Sequence, residues 1–274
     1  MNNTFNIQRF GLLLKRQWLE FGKIYLVILA VSLSIMITFY GFALWNPLFE
    51  GGNFRGRDLN FREPLFLIFG FLFLSVISSS YFAHLGQKPK AIIDLLIPAS
   101  TFEKFAAGIF FTAICAVASY AVLFYLTDLA FVAALKDMFN GKVDATAFDP
   151  ETGRQIKSAH NIEYFFSKDS RDSFLPLYFT PFFVSSIFLL GSIYFNRFQY
   201  IKTAVSVMIF AGVWTYIIYN FGEWVMKGKV MVDDSGMNNH FSRGDGELYG
   251  SLLIVVLTVI FWSITYVRLK EKEV

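Results

Sequence analysis

Two acidic residues lie inside long apolar stretches of this 274-residue chain, and they are its strongest candidates for chemistry. Asp128 falls toward the end of the stretch that begins at Phe105, and Glu223 precedes Trp224 near the end of a later stretch. Buried ionisable residues of membrane proteins usually mark ion or substrate paths. Two interpretations stay open: their depth favours the headgroup level, and the alternative is a polar patch at an outer gate.

Other chemistry-bearing patterns are missing from the sequence. The three histidines, His84, His160 and His240, lie far apart, and Cys115 is the single cysteine. There is no G-x-x-x-x-G-K-[ST], no H-E-x-x-H and no G-x-S-x-G. We therefore predict no catalytic activity, no metal site and no cofactor bound directly by this chain.

The composition predicts an integral membrane protein. Hydrophobic residues make up 55% of the chain and charged residues only 16%, against about 25% charged in soluble domains. A spanning helix needs about 20 mostly apolar residues. We expect an all-α, polytopic fold with a single transmembrane domain over 1–274 and six spans, at about 24–45, 64–85, 105–135, 174–195, 203–226 and 248–267.

The distribution of charge predicts the orientation. With both termini in the cytoplasm, the inner segments carry 12 basic and 5 acidic residues, and the outer segments carry 12 basic and 14 acidic residues. The inner segments are shorter, so their basic density is higher, as the positive-inside rule requires. The longest outer loop is then 136–173, which is long enough to form a small folded cap or to stay mobile.

The inner connection between spans two and three predicts a short helix. Pro89 suits a helix start and Pro98 a helix end, and apolar residues recur between them at helical spacing. Ser100 and Glu103 fit a capping box that starts span three. The short helix either closes the loop at the membrane surface or docks in a cleft of a cytoplasmic partner as a coupling helix; its residues are Lys88, Pro89, Lys90, Ile92, Ile93, Asp94, Leu96 and Ile97.

The N-terminal stretch 4–22 predicts an amphipathic helix on the inner membrane surface, with Gly22 and Lys23 allowing a bend into span one. The alternative is a basic flank that only sets the topology. Apolar residues recur at spacings of three and four, with basic residues mostly opposite; the characteristic positions are Arg9, Phe10, Leu13, Leu14, Lys15, Arg16 and Trp18.

This arrangement resembles the permease subunits of ABC-2-type exporters. "RFGLLLKRQWLEFGKIYL" looks like their N-terminal elbow helix, and "LLIPASTFEKF" looks like an inner-loop stretch of permease-related proteins of Bacteroidetes-type bacteria. The resemblance covers the whole chain as topology and these two stretches as sequence. One departure is that the longest outer loop, 136–173, follows span three, whereas the family places its notable outer element between spans five and six.

The resemblance implies a function, partners and a location. Such permeases pair with a second copy or a paralogue and bind cytoplasmic ABC ATPase subunits, which hold ATP and Mg. They lie in the lipid of the bacterial inner membrane and move amphipathic or apolar substrates outward. The charge of the 136–173 loop is not net basic, so we also predict no nucleic-acid binding. The alternative is a non-catalytic membrane scaffold or regulatory subunit of another membrane complex.

Overall fold

The computed structural model describes residues 5–50, 54, 56–86, 92, 94, 96–139, 142–148, 155–167, 176–226 and 243–272. Helices dominate these residues, and a π-helical segment, Phe110–Cys115, joins two of them. The helices are α1 (Ile7–Ala43), α2 (Trp45–Phe49), α3 (Arg62–Tyr81), α4 (Thr101–Ile109), α5 (Ala116–Met138), α6 (Pro176–Tyr194), α7 (Gln199–Met226) and α8 (Arg243–Lys272).

Six helical stretches are long and apolar enough to cross a membrane. Helices suit this role because every backbone polar group finds its partner within the segment. The prediction of a multi-pass membrane protein with six helical spans is therefore confirmed, whereas the cytoplasmic position of the termini stays a prediction. The stretches are Ile7–Ala43, Arg62–Tyr81, Thr101–Met138, Leu177–Tyr194, Gln199–Phe221 and Glu247–Lys272.

The first helix differs from the prediction. We expected an amphipathic helix over 4–22 and a bend at Gly22 and Lys23, but α1 is one uninterrupted helix. Glycine in a helix interior costs only about 1 kcal/mol, and no proline follows it before Ala43. Phe21 and Tyr25, on either side of the expected bend, are both buried. Their packing therefore favours continuing the helix through this point.

The segment 136–173 contains a β-hairpin that the sequence did not predict. Strands β1 (Lys142–Phe148) and β2 (Gln155–Asn161) pair antiparallel, with Lys142 opposite Asn161 and Phe148 opposite Gln155. Strands of seven residues carry a weak sequence signal, because β-propensity depends strongly on context. The all-helical class therefore holds for the spans, and the hairpin is an addition to it.

The chain divides into two compact units, each with its own core. The first comprises 1–13, 78–113 and 174–274, and the second 14–77 and 114–173. In the first, α6 packs against α7 and α8, and α4 also contacts α8. In the second, the buried face of α5 includes Phe124, Val132 and Leu135. The single transmembrane domain stays a prediction.

Close approach of α6 and α7 requires glycine at one position. A Cβ added at Gly191 would overlap the side chain of Thr203, which is buried on α7. The chain reverses between the two helices through Phe198, whose φ of 55° lies in the left-handed region. The contact between Gly191 and Thr203 anchors the start of α7. The side chains described beyond Ala204 on this helix are largely exposed.

We expect Gly191→Ala to lower the free energy of unfolding by about 2 kcal/mol, because the added methyl overpacks the α6–α7 contact. Gly212→Ala is the matched control: a Cβ there meets nothing within 4 Å, and alanine is the better helix former. Thermal unfolding in detergent measures both variants. Equal melting temperatures for the two would contradict the close approach.

Candidate functional site

The start of α4 carries the predicted capping box. The Ser100 hydroxyl accepts a hydrogen bond from the Glu103 backbone N–H at 3.2 Å, and the Glu103 carboxylate accepts one from the Ser100 N–H at 2.9 Å. The two side chains thus accept hydrogen bonds from two backbone N–H groups that have no partner within the helix. This part of the sequence prediction is confirmed.

The same carboxylate holds the start of α1. Arg9 donates to Glu103 through Nε at 2.7 Å and Nη2 at 2.7 Å, and the Asn6 N–H donates at 2.9 Å. Glu103 is fully buried, so these donors replace the water that the carboxylate would otherwise need. We call Asn6, Arg9, Ser100 and Glu103 the Glu103 cluster; it ties the first turn of α1 to the first turn of α4.

The neighbouring Lys104 holds the 92–97 segment. Lys104 is only 3% exposed, and its Nζ donates to the backbone carbonyl of Asp94 at 2.8 Å and lies 3.7 Å from the Asp94 carboxylate. On another side, His84 Nε2 lies 3.9 Å from that carboxylate. Glu103 and Lys104 are adjacent in sequence, so one turn of α4 forms ionic contacts with both α1 and the 92–97 segment.

Two apolar side chains of the 92–97 segment, Ile92 and Leu96, point outward. Ile92 and Asp94 are helical, and the Leu96 N–H donates to the Ile92 carbonyl at 3.3 Å. Ile92 is 59% exposed and Leu96 78% exposed, while Asp94 points to Lys104 and Ile97 is half-buried. The remaining predicted coupling residues, Lys88, Pro89, Lys90 and Ile93, lie outside the described residues.

The predicted elbow residues all lie on α1 and play different parts. Arg9 belongs to the Glu103 cluster, and Arg16 pairs with Glu20 at 3.1 Å one turn along. The other positions range from buried to exposed, so the predicted apolar face is only partly covered. Leu13 is buried, Phe10 and Leu14 are half-buried, and Lys15 and Trp18 are exposed.

Asp128 is the centre of a second ionic cluster, in the second unit. It is 1% exposed. Its Oδ1 accepts hydrogen bonds from the Tyr40 hydroxyl at 2.9 Å and Arg62 Nη1 at 3.1 Å, and its Oδ2 accepts one from the Phe165 N–H at 2.8 Å. Arg62 also donates to the Glu163 carbonyl at 3.1 Å. We call Tyr40, Arg62, Asp128 and the backbone of Glu163 and Phe165 the Asp128 cluster.

Aromatic rings pack around this cluster. Phe66 packs on Phe124 and Phe165 at centroid distances of 4.9 and 5.3 Å, and Lys136 Nζ lies 3.6 Å from the Tyr164 ring centroid. A buried ion pair needs such complete hydrogen bonding to offset its lost hydration. The arrangement fixes residues 162–167, which follow β2, onto α3 and α5.

Glu223 is exposed on α7 and belongs to the first unit. In the described part of the chain, the hydrogen-bond partners of Asp128 are Tyr40, Arg62 and Phe165, and Glu223 is not among them. The headgroup interpretation of Asp128 did not foresee its burial among these partners. The outer gate formed by Asp128 and Glu223 stays a prediction.

Sequence reasoning missed the cationic partners of both carboxylates. Arg9 and Arg62 each precede their carboxylate by more than 60 residues, so local periodicity carries no signal for either pair. One clue was available: Asp128 lies in an apolar stretch, and a charge there demands a partner. Arg62, which lies just before the predicted second span, was one available cation.

The fold defines a multi-pass membrane protein, and two of its carboxylates, Glu103 and Asp128, are buried and each paired with an arginine. Within the described ranges, no three His, Cys, Asp or Glu side chains come close enough to hold a metal ion. No family model, no curated protein and no solved structure matches this chain.

We expect Glu103→Gln to destabilise the protein by about 2 kcal/mol, because the amide turns one acceptor into a donor that faces other donors. Thermal unfolding in detergent measures the change. Glu271→Gln is the control, since the Arg268–Glu271 pair is about half exposed on both sides and such pairs contribute less than about 1 kcal/mol. Equal losses in the two variants would contradict the structural weight of the Glu103 cluster.

We expect Asp128→Asn to destabilise the protein by about 3 kcal/mol, because Arg62 then keeps a charge with no counter-charge. Amide hydrogen exchange at Phe165 should rise with it, since the amide leaves one acceptor oxygen for three donors. The matched control is Glu223→Gln, which should change stability by no more than about 0.5 kcal/mol at an exposed position. Protection of Phe165 that is unchanged in Asp128→Asn would refute this role of Asp128.

Proposed function

We propose that this chain is the permease subunit of an ATP-driven exporter of ABC-2 type. It moves an amphipathic or apolar substrate across a bacterial inner membrane, paired with a second copy or a paralogue. The observation that carries the proposal is the 92–97 segment, where an exposed apolar turn is braced from behind by a buried lysine.

The exposed side of this segment suits docking to a partner. Ile92 and Leu96 stand one turn apart and are both more than half exposed. Apolar side chains that fill a partner pocket supply much of the energy of a protein interface. A cleft in a cytoplasmic ATPase would cover them, as the predicted coupling helix requires.

The bracing of the segment suits the transmission of motion. A force on the segment passes from Asp94 to Lys104 and so to the first turn of α4. Glu103 in the same turn carries it to Arg9 and the start of α1. A flexible loop would absorb the displacement, whereas this pair of ionic contacts moves with it.

The energy for transport comes from the partner in this proposal. The sequence has no phosphate-binding Gly-rich loop with its lysine, so ATP and Mg bind to the separate ATPase subunits. The chain itself then supplies the path and responds to closure of the ATPases.

A scaffold or regulatory subunit is the second candidate, and the Asp128 cluster favours it. That cluster fixes residues 162–167 to α5 through the bond from the Phe165 N–H to Asp128 and to α3 through the bond from Arg62 to the Glu163 carbonyl. A rigid external platform is what a scaffold needs, and it needs no moving path.

We expect Leu96→Asp to reduce co-purification of the ATPase subunit at least about tenfold, since burying one unpaired charge opposes docking. Melting temperature should stay unchanged, because Leu96 is exposed. Phe198→Asp is the matched control: it adds the same charge at an exposed apolar residue, in the connection that precedes α7. Normal assembly and transport by Leu96→Asp would overturn the coupling role.

The identity of the partner separates the two candidate functions. The tagged protein, purified from its native membrane in mild detergent, would be analysed with its companions by mass spectrometry. A stoichiometric chain that carries a P-loop supports the exporter. Repeated absence of any ATPase, together with another stoichiometric membrane protein, supports the scaffold.

A further inference from the structure

The connection between α6 and α7 is too short to leave the membrane surface. One stretch that can span the membrane ends at Tyr194, and the next begins at Gln199. Four extended residues measure at most about 14 Å, and this chain must also turn back within that length. The connection therefore lies at the level of the lipid headgroups, which form a layer roughly 5–8 Å thick on each side of the hydrocarbon core.

Two cations at this level have no counter-charge. Arg197 lies in the connection and Lys202 in the first turn of α7, and both are exposed. Within the ranges that the structure describes, neither side chain forms an ion pair. Each lysine or arginine near an anionic lipid surface raises its affinity about fivefold. The two charges are therefore available to an anionic ligand in the headgroup layer.

Two aromatic rings at the end of α6 position the neighbouring charges. Lys202 Nζ lies 5.7 Å from the centroid of the Phe195 ring, and Arg268 Cζ, from α8, lies 5.4 Å from the centroid of the Tyr194 ring. The two rings meet edge to face with their centroids 5.2 Å apart. Cations within about 6 Å of a ring centroid are attracted to the ring. Lys202 and Arg268 thus adjoin one pair of rings, although they come from different helices.

The charge of Arg268 is compensated, unlike those of Arg197 and Lys202. Its Nη1 lies 2.8 Å from a carboxylate oxygen of Glu271. The surplus of positive charge therefore lies on the side of Arg197 and Lys202. A guanidinium group suits a phosphate especially well, because its planar fork offers several donors in fixed directions.

Exposed apolar side chains adjoin these cations. Phe198 is exposed in the connection, and Ile201 and Val205 are exposed one turn apart on α7. Aromatic rings favour the boundary between headgroups and hydrocarbon, and aliphatic side chains favour the acyl chains. The ligand that matches this surface has an anionic head and apolar chains.

We propose that Arg197 and Lys202 bind the headgroup of an anionic phospholipid beside the rings of Tyr194 and Phe195. The lipid phosphate accepts charge-assisted hydrogen bonds from the two cations, and its acyl chains lie along Ile201. A zwitterionic lipid brings its own ammonium group next to these cations and binds less tightly. This inference rests on the membrane fold and does not depend on the proposed exporter function.

The test measures lipid binding to the full-length protein. Delipidated protein in mild detergent is titrated with phosphatidylglycerol or with phosphatidylcholine of the same acyl chains, and bound lipid is measured by native mass spectrometry. We expect phosphatidylglycerol to bind at least about tenfold more tightly. Arg197→Gln and Lys202→Gln should each lower its affinity about fivefold and leave that of phosphatidylcholine unchanged.

Two further variants separate a defined site from general charge attraction. Lys202→Arg keeps the charge and its position over the Phe195 ring, so phosphatidylglycerol affinity should stay within about twofold of that of the unmodified protein. Lys15→Gln removes an exposed lysine from α1 and should also change that affinity by less than about twofold. A loss in Lys15→Gln equal to that in Lys202→Gln would overturn the site, because any surface charge would then serve.

A structural role of the cations makes a different prediction. Positive charge near the C-terminal end of a helix stabilises it, and α6 ends at Tyr194. If Arg197 and Lys202 served only that purpose, Arg197→Gln and Lys202→Gln would lower the melting temperature without lipid and leave lipid affinity unchanged. That result would overturn the proposal; we expect the reverse, since both side chains are exposed.

A soluble competitor distinguishes a lipid from a free phosphate. Glycerol 1-phosphate carries a phosphate group without acyl chains, so millimolar amounts should not displace phosphatidylglycerol from the unmodified protein. Displacement at those concentrations would identify a site for free anions and overturn the lipid assignment. Equal affinities for the two lipids in the unmodified protein would overturn it as well.

Discussion

The structure depends on one constraint: a carboxylate buried in an apolar helical bundle must have every acceptor site filled. Glu103 meets it with Arg9 and the N–H groups of Asn6 and Ser100. An unpaired charge there would cost several kcal/mol, a large share of a stability of about 5–15 kcal/mol. The contacts of Glu103 thus determine where α1 begins relative to α4.

Asp128 obeys the same constraint with a different result. Both carboxylates combine one arginine with a backbone N–H, yet Glu103 joins two helix starts and Asp128 holds a connection that follows a hairpin. Arginine suits both sites because its planar fork offers several donors in fixed directions. Each arginine therefore offsets the cost of burying its carboxylate, and each pair fixes the position of the segments that it joins.

The two clusters lie on one helical stretch, Thr101–Met138, with the π segment between them. Glu103 and Lys104 lie in its first turn, and Asp128 lies about seven turns further on at 3.6 residues per turn. One helical stretch thus carries both buried carboxylates.

The sequence by itself determined the six spans, the capping box at Ser100 and the helical spacing of Ile92 and Leu96. These follow from local patterns: run length, a four-residue cap and helical spacing. Only the tertiary structure decided that α1 continues through Gly22, that Arg9 meets Glu103 and that Arg62 meets Asp128. The physical reason is sequence distance: partners more than 60 residues apart meet only after the helices pack, and packing alone decides which charges are buried.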